Sequence, residues 1–201
     1  MASKIKVDQL ETADGTGTIA LQNQLSGLTT ASLPTVTTDK LGTGAVLQVV
    51  NANHGQASQI TISGSQNGGA EITTDLRLSI TPKSATSKLY FNFFTPFVSP
   101  NGGNLHYGYF YNVTSSSYVN PPPSSGSRVT PHWTIRVAAS DVNDNHDFNM
   151  QTVETSGSTT ARTYTIKYGN ENISAQFFQT TLSTGSGSTF KALFTITEVA
   201  G

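Results

Sequence analysis

The 201-residue sequence contains no cysteine. Disulfides, zinc–thiolate sites and cysteine nucleophiles are therefore excluded, and stability has to come from packing, hydrogen bonding or association. Charge is scarce as well: Asp, Glu, Lys and Arg make up 11% of the residues and cancel to a net charge of -1, where an average soluble protein carries about 25%. Such a chain has no field of one sign to hold nucleic-acid phosphates or an anionic membrane surface, so neither is an expected partner. No stretch approaches the roughly 20 apolar residues needed to cross a bilayer. The first ten residues also lack the apolar run of a secretory signal, so a soluble chain without cleaved secretion is expected. What fills the sequence instead is threonine and serine, about a quarter of all residues. That composition is too poor in Ala, Leu, Glu and Lys for a helical protein.

The apolar residues divide the chain. Over the first forty positions they are thin and scattered, with Ile5, Val7, Leu10, Ile19, Leu21 and Leu25 separated by Gly, Thr and Asn. A segment this poor in apolar surface cannot by itself offset the conformational entropy of ordering. It is either disordered or docked on another chain, and docking, with those six residues as its contacts, is the expectation. The alternations Ile5/Val7 and Ile19/Leu21, the latter after the turn Gly15-Thr16-Gly17, suit addition to a sheet edge. After Gly42-Thr43-Gly44 the pattern becomes short apolar runs broken by Gly, Pro, Asn and Ser, which predicts strands near 45–51, 59–63, 71–81, 88–98, 105–114, 131–139, 147–154, 163–168, 175–180 and 189–199. Many strands with no helices between them point to an all-β, jelly-roll-like antiparallel β-sandwich over residues 43–201, with residues 1–42 as an extended N-terminal attachment arm. Positions 89–94 are apolar on both strand faces. Such a strand is either covered on both sides or lies at a subunit interface.

Catalytic and metal-binding patterns are weak. His54, His106, His132 and His146 fall in no metal-binding spacing. The stretch Asp141, Asn143, Asp144, Asn145, Asp147 begins like a calcium loop, but His146 stands where the loop needs Gly and Thr152 where it needs Glu; a polar turn explains it. Gly15-Thr16-Gly17 and Gly42-Thr43-Gly44 lack the strand-to-helix context of phosphate loops. There is no G-x-S-x-G elbow, and nothing in the spacing brings a carboxylate pair into a cleft. No enzyme activity, metal or cofactor is expected, with polysaccharide cleavage as the reading that a carboxylate pair or triad in a cleft would revive. The sequons Asn112-Val113-Thr114 and Asn172-Ile173-Ser174 carry little meaning without a secretory signal.

Aromatics say more. Half of them lie between Tyr90 and Tyr111, and Tyr107, Tyr109 and Tyr111 share one strand face while Phe110 takes the other. That tyrosine face is either packed or a platform for a sugar or a protein receptor. Pro121-Pro122-Pro123 makes a stiff exposed loop. Asn101, Asn104, Pro121, Pro122, Pro123 and Arg128 are the candidate surface-recognition positions, since loops on a rigid sandwich commonly carry recognition.

Several short segments resemble a known group in the order in which they occur. They are Ser3-Lys4-Ile5-Lys6-Val7-Asp8 leading into Gly15-Thr16-Gly17-Thr18-Ile19, then Val46-Leu47-Gln48-Val49-Val50, Leu78-Ser79-Ile80-Thr81-Pro82-Lys83-Ser84-Ala85, Ser87-Lys88-Leu89 and the closing Phe194-Thr195-Ile196-Thr197-Glu198-Val199-Ala200-Gly201. These resemble virion surface proteins of aquatic tailed phages, cyanophages in particular, which serve as tail fibres or capsid decoration proteins. Residues 92–182 match only in their β-rich character. The resemblance implies a virion structural protein, commonly a homotrimer, whose arm holds a β-sandwich head to the particle. Because no fibrous shaft separates arm from head, a decoration (cement) protein bound to a major capsid protein is the first expectation. The alternative is a short tail fibre or receptor-binding protein, attached to a tail or baseplate protein and recognising a host surface glycan.

Overall fold

The computed structural model describes residues 10–11, 18–19, 40–54, 60–62, 68–98, 105–123, 129–138, 145–171, 175–177 and 191–201. The chain forms two compact units, Met1–Thr37 and Thr38–Gly201. In the first, β1 (Leu10–Glu11) pairs antiparallel with β2 (Thr18–Ile19), Leu10 opposite Ile19, in a two-stranded sheet of its own.

The second unit holds two six-stranded antiparallel sheets. Its strands are β3 (Val46–His54), β4 (Ile60–Ile62), β5 (Ala70–Glu71), β6 (Leu78–Ile80), β7 (Lys88–Val98), β8 (Leu105–Asn112), β9 (Ser117–Tyr118), β10 (Trp133–Arg136), β11 (Asn145–Thr155), β12 (Arg162–Asn170), β13 (Ala175–Phe177) and β14 (Ala192–Val199). Strand β7 is paired along its whole length with β11 on one edge. Its other edge is shared by β14 over Lys88 to Phe94 and β13 over Phe97 and Val98. In the opposite sheet β8 and β12 are the central pair; β10 and β9 divide the free edge of β8, and β6 and β5 divide that of β12. Merging each short strand with the line it continues leaves eight lines along the chain. One sheet orders them first, eighth, third, sixth; the other orders them second, seventh, fourth, fifth. This is jelly-roll wiring, as the turn spacing predicts.

Alternation decides which side chains fill the sandwich. On β7, Leu89, Phe91 and Phe93 are buried and Tyr90, Asn92 and Phe94 are exposed. Phe91 packs across the sandwich on Phe110 of β8 at 5.6 Å and on Tyr164 of β12 at 4.9 Å, and Phe110 reaches Phe194 of β14 at 5.8 Å. Trp133 closes one side against Phe148 at 4.4 Å. Burying each such ring stabilises the fold by roughly 1.5–3 kcal/mol. Gly108 is required in the middle of β8 because a Cβ there would lie 2.3 Å from the Phe148 ring.

The expected strand 71–81 is interrupted. Thr74–Leu76 is a 3-10 turn whose cap, Thr73, accepts a hydrogen bond through its hydroxyl from the Asp75 amide at 3.3 Å. Thr-Thr-Asp favours such local side-chain-to-backbone bonds over a ladder, and Asp75 is further held by His54 Nδ1 at 2.8 Å. Leu76 still points into the core.

Candidate functional site

The two outer faces of the sandwich differ. Outside β8 and β12 the surface is closed. Tyr107 and Tyr109 are buried, Tyr109 lies 5.3 Å from the Tyr118 ring, and the Lys167 ammonium sits 3.5 Å above the centre of Tyr111. Glu71 accepts two hydrogen bonds from Arg77 at 2.8 Å and one from the Thr165 hydroxyl at 2.7 Å. The Arg77 bond holds its carboxyl below the usual range against the upward push of burial. Of the two readings open for the tyrosine strand, the structure gives packing.

Outside β3, β14, β7 and β11 the surface is open. Every large apolar side chain exposed among the described residues lies on this sheet: Val46, Val49, Tyr90, Phe94, Val153 and Leu193. The register sets them in rows. Val49, Thr197, Tyr90 and Val153 cross all four strands; next come Asn51, Thr195, Asn92 and Gln151; then Asn53, Leu193, Phe94 and Asn149. None of these twelve positions is charged. Tyr90 is 48% exposed, Leu193 47% and Phe94 43%. Among the described residues, the double-faced apolar run at 89–94 is thus covered on its inner side alone.

Two open depressions meet on this face. One is lined by Tyr90, Asn92, Gln151, Val153 and Thr197; the other continues over the sheet edge past Tyr90 and Val153 to Lys88, Asn120, Glu154 and Thr155. Asn120 sits at φ 35°, a left-handed conformation that asparagine tolerates. From there its side-chain amide donates to the Val153 carbonyl at 2.9 Å, tying the chain before Pro121 to the edge of β11.

A buried carboxylate organises one end of the sandwich. Glu198, with no exposed surface, accepts hydrogen bonds from Gln48 Nε2 at 2.5 Å, the Ser87 hydroxyl at 2.6 Å and the Lys83 and Ser84 amides at 2.7 and 3.3 Å. Burial pushes its pKa up, but the four donors outweigh it and leave the carboxyl below its ordinary value. Around it the Gly44 amide donates to the Ala200 carbonyl at 2.9 Å and the Ala200 amide to the Ala45 carbonyl at 2.8 Å. Chain segments 46–50, 78–89 and 194–201 meet at this carboxylate.

Two of the histidines are held within the hydrogen-bonded framework of the fold. His132 accepts from the Phe110 amide through Nδ1 at 3.2 Å and so donates through Nε2 to the Val119 carbonyl at 2.6 Å. His106 on β8 hydrogen-bonds the Tyr168 hydroxyl, and its pKa is lowered from 6.5 to about 4 by burial and by the nearby His146 imidazole of β11, against the pull of Glu171. No three His, Asp or Glu residues among those described are grouped to hold a metal ion, and no helix among them is long and apolar enough to cross a membrane.

Of the expected site residues, Pro121, Pro122 and Pro123 are exposed, with the Pro123 carbonyl accepting from the Thr130 hydroxyl at 3.1 Å. Leu10 and Ile19 are the paired residues of the small N-terminal sheet. Ile5, Val7, Leu21, Leu25, Asn101, Asn104 and Arg128 lie outside the described residues. Sequence reasoning missed Glu198 and left open whether the outer face of Tyr90 is covered. The double-sided apolar pattern at 89–94 was the signal for the latter.

No protein-family model matches the chain, and no curated protein matches it. Its backbone is loosely similar to chains in two solved structures. One is the T13 viral particle of IBDV, at 14% identity and a TM-score of 0.36, covering 76% of this chain and 37% of that one. The other is the VP2 subviral particle of infectious bursal disease virus, at 17% identity and a TM-score of 0.34, covering 92% of this chain and 39% of that one. The chain spans less than two fifths of either, and likeness of this degree bears on neither activity nor partner.

Proposed function

We propose that this protein is a non-enzymatic structural component of a virion: a homotrimeric capsid decoration protein, with residues 1–42 as the arm that fastens it to the major capsid protein and residues 43–201 as an outward-facing head. The observation that carries this reading is the division of the chain into two compact units, the second a jelly roll with its own core and the first containing, among its described residues, one ladder of two residue pairs. The fold adds support by analogy, since jelly rolls recur in viral shells, though also in lectins and cupins. The sequence resemblance to phage surface proteins touches both units. Physically, three arms on one trimer act together: once the first is docked, the others bind at high effective concentration, so contacts that are weak singly hold the protein firmly.

Deletion of residues 1–42 tests the proposal. The remaining head is expected to stay folded and trimeric but to lose binding to purified particles by about a hundredfold or more, the scale of lost multivalency. Sedimentation of particles with bound protein measures it. Undiminished decoration by the truncated protein would remove the arm from the account.

A further inference from the structure

The open face carries a groove whose chemistry differs from that of an apolar docking surface. Tyr90 stands at its centre with nearly half its surface exposed. On one side are the Asn92 and Gln151 amides and the Thr197 hydroxyl; over the sheet edge are Asn120 and Thr155. The side chains of Tyr90, Asn92 and Gln151 make no hydrogen bond within the described chain, so their donors and acceptors face outward. Two ionic groups of opposite sign stand at the rim: Lys88 Nζ donates to the Thr155 hydroxyl of the same depression at 2.7 Å, and Glu154 accepts from the Tyr164 hydroxyl at 2.5 Å.

We propose that this groove, from Thr197 and Asn92 across Tyr90 and Val153 to Asn120, binds a neutral oligosaccharide. A sugar ring has an apolar C–H face and a rim of hydroxyls that both donate and accept. The Tyr90 ring offers a surface for the first. Side-chain amides, which also donate and accept, match the second. The stretch beside Asn92, Gln151 and Thr197 carries no charge, and at the Asn120 end Lys88 and Glu154 carry opposite charges, so the groove has no net counter-charge for a sulfated or sialylated glycan. A protein partner seated across the face would bury the polar row Asn51, Thr195, Asn92 and Gln151 at its centre, and unpartnered polar groups there cost binding energy. Sugar hydroxyls satisfy that row directly. The inference goes beyond the decoration reading and holds wherever on the particle the protein is attached.

The test uses the full chain against immobilised neutral tetrasaccharides of glucose, galactose and N-acetylglucosamine, with sialylated and sulfated glycans as controls. Retention by at least one neutral class is expected. Tyr90→Ala should weaken it about tenfold, while Tyr90→Phe, which keeps the ring, should change it little. Both variants alter an exposed position, and an unchanged melting temperature confirms that they fold. No retention by any neutral glycan, retention indifferent to Tyr90→Ala, or preference for the anionic controls overturns the proposal. So does a Tyr90→Ala protein whose oligomer falls apart in light scattering, because the face would then be a contact between copies of this chain.

Discussion

Glu198→Ala unfolds the jelly roll more easily than any surface substitution, with an expected loss of about 3–5 kcal/mol, the range for removing one partner from a buried, charged hydrogen-bond network. The carboxylate has four donors, from Gln48, Lys83, Ser84 and Ser87. Truncation strips the Lys83 and Ser84 amides of their acceptor, while Gln48 and Ser87 keep only the Thr81 and Ser84 carbonyls; each buried donor without an acceptor costs about 1–3 kcal/mol before relaxation. Glu198→Gln is milder, since its oxygen still accepts while its NH2 meets donors head-on. Urea denaturation of the three proteins at neutral pH gives the order. Equal midpoints for wild type and Glu198→Ala would show that the network does not hold this end of the sandwich together.

Acid should weaken the fold well before its carboxylates titrate. His106 has a folded pKa of about 4 against 6.5 for the free side chain, first through burial and then through His146. Between these values the unfolded chain binds the proton and the folded chain does not. The stability that neutral His106 contributes is therefore complete above pH 6.5, declines as pH falls through that value, and is spent near pH 4. The gap corresponds to about 3 kcal/mol. His132 is lowered too, by burial against the opposing Val119 bond, and acts in the same direction. Glu198 adds a second stage: its lowered pKa makes it stabilising above the ordinary carboxylate value, with loss only as pH falls further. Denaturation free energies at pH 7.5 and 4.5 should differ by most of the histidine contribution, and His106→Gln should flatten that segment. A wild-type profile already flat between these pH values would contradict the burial of a neutral imidazole.

The sandwich was readable because its strands are bounded by turn residues and alternate cleanly. The expected strand at 88–98 coincides with β7, and 45–51 and 189–199 fall on β3 and β14. Alternation reports which residues share a face. It cannot say whether a second chain or solvent lies on that face; only the register, which sets Val153 beside Tyr90 and Leu193 beside Phe94, shows one continuous outer surface. Glu198 was illegible for another reason: Gln48 is 150 positions away and Lys83 is 115, and no local period links them. The break at Thr73-Thr74-Asp75 was missed because flanking apolar residues on strand spacing masked local turn chemistry.

The role of the arm is tested most directly by cross-linking lysines on intact, purified particles that carry the protein, followed by peptide mass spectrometry. Lys4 and Lys6 lie in the arm, whereas Lys83, Lys88, Lys167 and Lys191 lie in the second unit. Lys4 and Lys6 are expected to join to a different virion protein. Cross-links from Lys4 and Lys6 confined to lysines of the same chain, on particles that retain the protein, would contradict it.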